Sequence, residues 1–336
     1  MKKINLLLIG LLLIPTLFLT SCDRGDDIIG GGTTASSFSL MKDYMLANNL
    51  DIDKVTVNID GAKFVVGPPA EADLPAFLAK YYILDIRAND AYIAGHIEGA
   101  KNIVFGNILT EATNAGGKAI LVVCYTGQTA CYATSLLRMY GFTNTQALKW
   151  GMSGWNEDTA GPWNAKIGAD DANGHANWSY SNAPANLVFD SPTLTSFSVD
   201  GGEILKERVE QVVADGFKTA AGGDVLASPG NYFVNNYFSE ADYAGFGHIA
   251  NAYRIKEDLL LSTNGYLNLN SSSTAKIASY CYTGQTSAVL TAWLRVLGYD
   301  AYSLTFGMNG LYNTNPVWSS NQWGGDSNPK DLPLVN

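Results

Sequence analysis

The hexapeptide Cys-Tyr-Thr-Gly-Gln-Thr occurs twice, at Cys124–Thr129 and again 157 positions on (281 − 124), at Cys281–Thr286. Each copy follows an apolar run that reads as a buried strand, Ala119-Ile-Leu-Val-Val123 and Lys276-Ile-Ala-Ser-Tyr280. Each is followed by a helical pattern, Ala130 to Tyr140 and Ser287 to Leu297. Buried strands that alternate with helices imply a parallel sheet with helices on both faces. Such sheets place their sites beyond the C-terminal strand ends, where both cysteines stand. A thiol there meets the unpaired N–H groups and partial positive charge of a helix start, which favour thiolate over thiol.

The repetition extends past the loop. Gly-His-Ile stands at Gly95–Ile97 and at Gly247–Ile249, each downstream of a tyrosine, Tyr92 and Tyr243. Gly141-Phe142 and Gly298-Tyr299 follow the two helical patterns. Leu148-Lys-Trp-Gly-Met-Ser-Gly154 and Leu304-Thr-Phe-Gly-Met-Asn-Gly310 come next. Four landmarks in one order at nearly constant spacing imply duplication of a unit of about 130–150 residues, an ordinary domain size.

The chain starts with Lys2 and Lys3, an apolar stretch from Ile4 to Leu19, and Leu19-Thr-Ser-Cys22. The short apolar core with a small, polar flank favours a cleaved export signal over a spanning helix. Its ending resembles the lipobox of bacterial lipoproteins. That resemblance implies cleavage before Cys22, a lipid thioether on Cys22, and a cell-envelope protein held to a membrane by its lipid anchor alone. The acidic, glycine-rich stretch that follows reads as a tether. Net charge is −10, and −12 once Lys2 and Lys3 leave with the signal. An acidic chain without a basic cluster is a poor partner for nucleic acid. Beyond Cys22 the cysteines are Cys124, Cys131 and Cys281. An odd count argues against a full disulfide framework. Cys131 reads as a small buried residue, with a resolving thiol for Cys124 as the sharper alternative.

Val55-Thr-Val-Asn-Ile59 alternates as a strand does, Asp73 to Lys80 reads as a short helix, and Tyr82–Asp85, Ile103–Phe105 and Leu121–Val123 read as strands. Pro162 to Asn186, rich in Asn, Ala, Gly and Asp, reads as a linker or excursion. A helix is expected over Gly202 to Ala214 and a strand over Tyr232 to Val234.

Leu84-Asp85-Ile86-Arg87, Tyr92-Ile-Ala-Gly95-His96-Ile97 and Glu98-Gly99-Ala100 resemble the first signature of the rhodanese (sulfurtransferase) domain. Cys124–Thr129 is similar to its six-residue active loop, and Leu148, Gly151 and Gly154-Trp155 to its closing segment. The resemblance covers most of 40–160 and, more weakly, 190–320. It implies two rhodanese-like α/β domains, each a mostly parallel sheet flanked by helices. The expected division is a signal peptide (1–21), a lipidated tether (22–37), domain 1 (38–161), a linker (162–190), domain 2 (191–325) and a tail (326–336).

The resemblance also implies the chemistry: a loop cysteine takes sulfane sulfur from a small donor, holds it as a persulfide, and passes it to a thiol, cyanide or protein acceptor. Cys124 and Cys281 are then the carriers. Tyr125, Thr126, Gly127, Gln128, Thr129 and Tyr282, Thr283, Gly284, Gln285, Thr286 form the loops, with Asp85 and Arg87 beside the first. Curled backbone N–H groups can hold a thiolate and then a persulfide without a general base. Gly127 and Gly284 let the loops curl, and Thr129 and Thr286 are placed to donate into them and to cap the helices. No cofactor or metal is called for; His96 and His248 read as turn-forming residues. The loops carry no Lys or Arg, which disfavours a dianionic donor such as thiosulfate, and Lys149 is a candidate cation nearby. Where the first unit has Asp85, Arg87 and Trp155, the second has Asn236, Phe238 and Leu311. A non-catalytic binding or scaffold lipoprotein is the alternative, and a redox pair of Cys124 with Cys131 a third. Ala130 or Ser287 stands where a Cys-x5-Arg phosphatase has its phosphate clamp, which excludes that chemistry.

Overall fold

The computed structural model describes residues 36–57, 61 and 63–336; the expected signal peptide and residues 22–35 of the expected tether, Cys22 among them, lie outside these, while Ser36 and Ser37 cap and open a helix. Among the described residues the strands are β1 (Val65–Val66), β2 (Tyr81–Asp85), β3 (Lys101–Asn102), β4 (Ala119–Val123), β5 (Thr145–Leu148), β6 (Trp178–Ser179), β7 (Thr219–Ala220), β8 (Phe233–Asn236), β9 (His248–Ile249), β10 (Ile277–Tyr280) and β11 (Ala301–Leu304). The first sheet runs β1-β5-β4-β2-β3 and the second β7-β11-β10-β8, both parallel throughout. The second repeats the order of the first, with a parallel bridge from Asn235 to Tyr253 where β3 would stand. A small antiparallel pair, β6 with β9, ties the connecting segment to the second half.

Period-two alternation sets the two faces of each central strand. Ala119, Leu121 and Val123 pack with Tyr81, Ile83, Leu148 and Trp155 on one face of the first sheet. Ile120 and Val122 point the other way, into the largest core, with Leu84 and Ala147. Ile277 and Ala301 of the second sheet enter that same core. Its filling is helical: Ser37–Ala47, Gln128–Tyr140, Gly201–Asp215 and Gln285–Leu297 meet there. The helices after the two cysteine loops lie against each other, so the halves share one interior.

Several expectations change. Of the strand expected over Val55–Ile59, Val55 instead closes a helical turn, Ile52–Val55, capped by Asp51, and Val57 bridges to Lys63; residues 58–60 lie outside the described set. The Asp51 carboxylate accepts from Ile52 N at 2.8 Å and from Leu261 N at 2.9 Å, so capping and a long-range bond outweigh the alternating pattern. The strand expected over Ile103–Phe105 is instead β3 at Lys101–Asn102. The Asn102 side chain donates to Asp85 O and Arg87 O and takes the place of further ladder pairing. The C-terminal tail is irregular but packed: Lys330 N donates to Gly154 O, Leu332 N to Trp155 O, and Val335 bridges to His96. Leu332 is buried in the core of the first half. Among the described residues, no helix is long and apolar enough to cross a membrane.

Candidate active site

Each loop leaves the C-terminal end of its sheet's central strand, β4 or β10, and turns into a thirteen-residue helix. The turn needs a left-handed residue, and Gly127 (φ 84°) and Gly284 (φ 74°) supply it as N-caps. Thr129 and Thr286 therefore fall inside their helices and cap neither. The sulfur fills the capping role instead. Cys124 Sγ accepts from Gly127 N at 3.1 Å and from Ala130 N at 3.3 Å. Cys281 Sγ accepts from Ser287 N at 3.3 Å and donates to Ser287 Oγ at 3.6 Å. Ser287, in the place of Ala130, also bonds Ser303 Oγ at 2.9 Å.

Both thiols are buried, Cys124 at 3% exposure and Cys281 at 1%. Burial pushes the Cys124 thiol above its ordinary value, and the Asp85 charge adds to this; the amides of Ala130, Thr126 and Gly127 pull the other way and offset only part of it. The thiolate expected from the helix N-terminus is thus opposed by desolvation in the resting state. Cys131 lies fully buried in the shared core, where burial holds its thiol well above the ordinary range.

A second segment braces each loop from outside. Met152 N donates to Cys124 O at 2.8 Å, and Ser153 N and Oγ both reach Tyr125 O. In the second half Met308 N donates to Cys281 O at 2.9 Å, and Asn309 N and Nδ2 take Tyr282 O. This close approach requires glycine: a Cβ on Gly151 would stand 2.4 Å from Cys124 O, and one on Gly307 2.2 Å from Cys281 O.

The loop glutamines, given no separate role by the sequence, cross between the halves. Gln128 Oε1 accepts from Phe306 N at 2.7 Å, and Gln285 Oε1 accepts from Trp150 N at 3.1 Å. Trp150 and Phe306 hold left-handed backbone, φ 66° and 61°, which aims those N–H groups at the opposite loop. Trp163 and Trp323 complete the aromatic cluster between the loops, and Trp163 Nε1 donates to Thr126 O at 3.1 Å. Thr126 Oγ1 accepts from Gln128 Nε2, and Thr283 Oγ1 from Gln285 N.

Asp85 and Arg87 form a buried ion pair at the end of β2. Arg87 Nη2 reaches Asp85 Oδ2 at 2.6 Å and Gly95 O at 2.8 Å, which fixes the Gly-His-Ile turn to the strand end. The guanidinium lies 5.9 Å from the Tyr125 ring, whose hydroxyl accepts from Ala88 N. Tyr125 is 40% exposed and forms the outer lip. In the second half Asn236 Oδ1 accepts from Phe238 N at 2.8 Å, and the Phe238 ring stacks on Tyr282 at 4.5 Å. Tyr282 donates its hydroxyl to Asp242, and Phe246 and Trp318 close over it. The histidines serve the turns: His96 stacks on Tyr92, and buried His248 stacks on Tyr243 and bonds Ser181 O.

Residues 70–158, which contain Asp85, Arg87, the first loop and its brace, match the rhodanese-like domain family. The chain is 35% identical over 80 residues to the thiosulfate sulfurtransferase GlpE of Pseudomonas entomophila, spanning 24% of this chain and 73% of that protein. It is 34% identical over 79 residues to the GlpE of Shewanella oneidensis, spanning 23% of this chain and 78% of that protein. Among solved structures, a rhodanese-related protein from Thermoplasma volcanium matches at 24% identity and a TM-score of 0.24, over 28% of this chain and 93% of its own. With its cysteine loop held between a parallel strand, a helix start and a bracing glycine, the chain belongs to the rhodanese-like domain family.

Proposed function

We propose that this protein is a sulfurtransferase that carries sulfane sulfur as a persulfide on the Cys-Tyr-Thr-Gly-Gln-Thr loop. The observation that carries the reading is the position of Cys124 Sγ, within 3.1 Å of Gly127 N and 3.3 Å of Ala130 N. These fixed dipoles favour negative charge on a sulfur there at no cost of rearrangement. Cys281, in the same hexapeptide, is the second carrier. The relatives named for thiosulfate transfer support the reaction class.

The transfer needs no cofactor. The Cys124 thiol gives its proton to solvent, and the resulting thiolate attacks the outer sulfur of the donor. A new S–S bond forms as the donor's bond to that sulfur breaks, and the electron pair leaves with the remainder: as sulfite from thiosulfate, or as the enolate of pyruvate from 3-mercaptopyruvate, which takes up the proton that the transferred sulfur gives up. An acceptor thiolate then attacks the terminal sulfur, and the Cys124 thiolate departs. The burial that raises the resting thiol makes deprotonation the costly step. Lipid attachment at Cys22 would place this chemistry at the cell envelope.

Intact mass spectrometry of the full-length protein tests the reading. Thiosulfate, 3-mercaptopyruvate and polysulfide are each offered to the parent and to Cys124→Ser and Cys281→Ser. The expected result is a gain of about one sulfur per active cysteine, removed by cyanide or excess thiol. No gain from any donor, with both thiols open to alkylation, would leave a binding module in place of an enzyme.

A further inference from the structure

The loop sequences hold no lysine or arginine, yet the second loop does not stand in neutral surroundings. A cavity of about 600 Å³ opens against it, lined by Tyr282, Thr283, Gln285 and Thr286 on one side. The opposite wall comes from the first half and brings two lysines, Lys63 and Lys149. Lys149 follows β5 directly and Lys63 precedes β1, the edge strand paired with β5. The two lysines stand at opposite ends of this parallel strand pair, and both line the cavity.

Lys149 is half-buried, and its Nζ donates to Asn321 Oδ1 at 2.8 Å. Burial pushes its ammonium below the ordinary value; the Asp326 charge opposes this, and the weaker Lys63 charge adds to it. A half-buried ammonium on a cavity wall is costly in the empty protein and is relieved by a bound anion. Asp326, the opposing carboxylate, is turned toward the amides of Asn321 and Gln322. Thr283 and Thr286 also line the cavity. The first loop has no matching lysine from the other half, because Thr305 stands where Lys149 does.

We propose that this cavity is an anion subsite of the second loop, built across the two halves, which holds the charged end of a small sulfur compound between Lys63 and Lys149. The ligand class is a small oxyanion carrying sulfur, the sulfonate end of thiosulfate or the carboxylate of a 3-mercapto acid. The proposal rests on the sulfurtransferase reading for the identity of the ligand, and on the cavity and its lysines for the site. It also answers the missing loop cations: the second loop borrows its positive charge from the first half.

Titration calorimetry on the full-length protein carrying Cys124→Ser and Cys281→Ser, which removes the chemistry, tests the site. Thiosulfate and 3-mercaptopyruvate are titrated separately, each at two salt concentrations. Lys149→Gln should weaken the better ligand about tenfold, as loss of a charged hydrogen bond does. Lys63→Gln should weaken it about threefold, since that lysine is exposed. Lys149→Arg should hold affinity within about twofold, which separates charge from packing. On the protein with both thiols intact, Lys149→Gln should slow sulfur loading of Cys281 at least about threefold more than loading of Cys124. Affinity indifferent to both lysines, or equal slowing at the two thiols, overturns the subsite. Lysine-dependent anion binding without persulfide on either cysteine would keep the subsite and refute the sulfurtransferase reading.

Discussion

Arg87→Phe is the most informative single perturbation, because the second half already carries its remedy. Asp85 is 0% exposed and its carboxylate is held by Arg87 through Nε and Nη2. Removing the guanidinium leaves a buried charge without a partner, at a cost of about 3–5 kcal/mol. With a urea slope of about 3 kcal/mol/M, the midpoint should fall by more than about 1 M. The equivalent residues are Asn236, the last of β8, and Phe238, two positions beyond it, set by the shared register of Asp85 with Val123 and of Asn236 with Tyr280. There Asn236 Oδ1 accepts from Phe238 N at 2.8 Å, as Asp85 Oδ1 accepts from Arg87 N at 3.0 Å. Phe238 stacks on Tyr282, and a phenylalanine at 87 has Tyr125 to meet. Adding Asp85→Asn to Arg87→Phe should therefore recover most of the loss. What remains is about 1–2 kcal/mol for the Gly95 carbonyl, which loses its donor, and the additional amide group. Urea unfolding of the parent, both single variants and the double variant gives the coupling. A double variant no more stable than Arg87→Phe alone would show that the uncompensated charge is not what the arginine prevents.

Gly151→Ala should distort the first loop, since its Cβ would stand 2.4 Å from Cys124 O at φ +62°. Sulfur loading of Cys124 should drop at least about tenfold while Cys281 still loads, and unchanged mass-spectrometric uptake would refute the bracing role. Alkylation of Cys124 should still be accelerating at about pH 9, because its thiol lies above the ordinary range; a rate that levels off near pH 7 would mean the amides outweigh burial. The same raised values for Cys124 and Cys131 mean that the folded state keeps protons the unfolded chain would release. Their stabilisation is full below the unfolded thiol value and is lost as pH rises through the folded one, so urea midpoints should decline above about pH 9 and not at mildly acid pH. Deleting residues 329–336 should cost about 3–5 kcal/mol in urea unfolding, through loss of buried Leu332 and the acceptor of Trp155 Nε1, and a neutral deletion would make the tail dispensable.

The central strands and the cysteine loops were legible because their signals are local. A fully apolar Ala119–Val123 followed by Gly127 dictates strand, tight turn and helix within one short stretch. Contacts across long separations left no such trace. Nothing near Gln128 tells that its partner is Phe306 N, and nothing near Lys149 points to Thr286 across the cavity. Alternation misled at Val55, which closes a helical turn because Asp51 serves as its cap and as an acceptor for Leu261 and Ser262. The thiolate expectation counted the amides and could not count the burial, which depends on the brace from Gly151 and Met152. Asp85 and Arg87 make contacts that run to Gly95 and the Tyr125 ring and not to the sulfur, and the short spacing of the two residues told nothing of that route.

The exchanged glutamines have the geometry of an isologous contact: the residue that one half offers is the residue it receives. In a two-fold dimer such a contact is written once and used twice. Here both halves lie on one chain, and the two copies have been free to diverge, as Lys149 and Thr305 have. Neither loop is a self-contained device, since each rests on a peptide N–H that the other half must aim. Each thiol is therefore held in a frame whose far corner belongs to the other half.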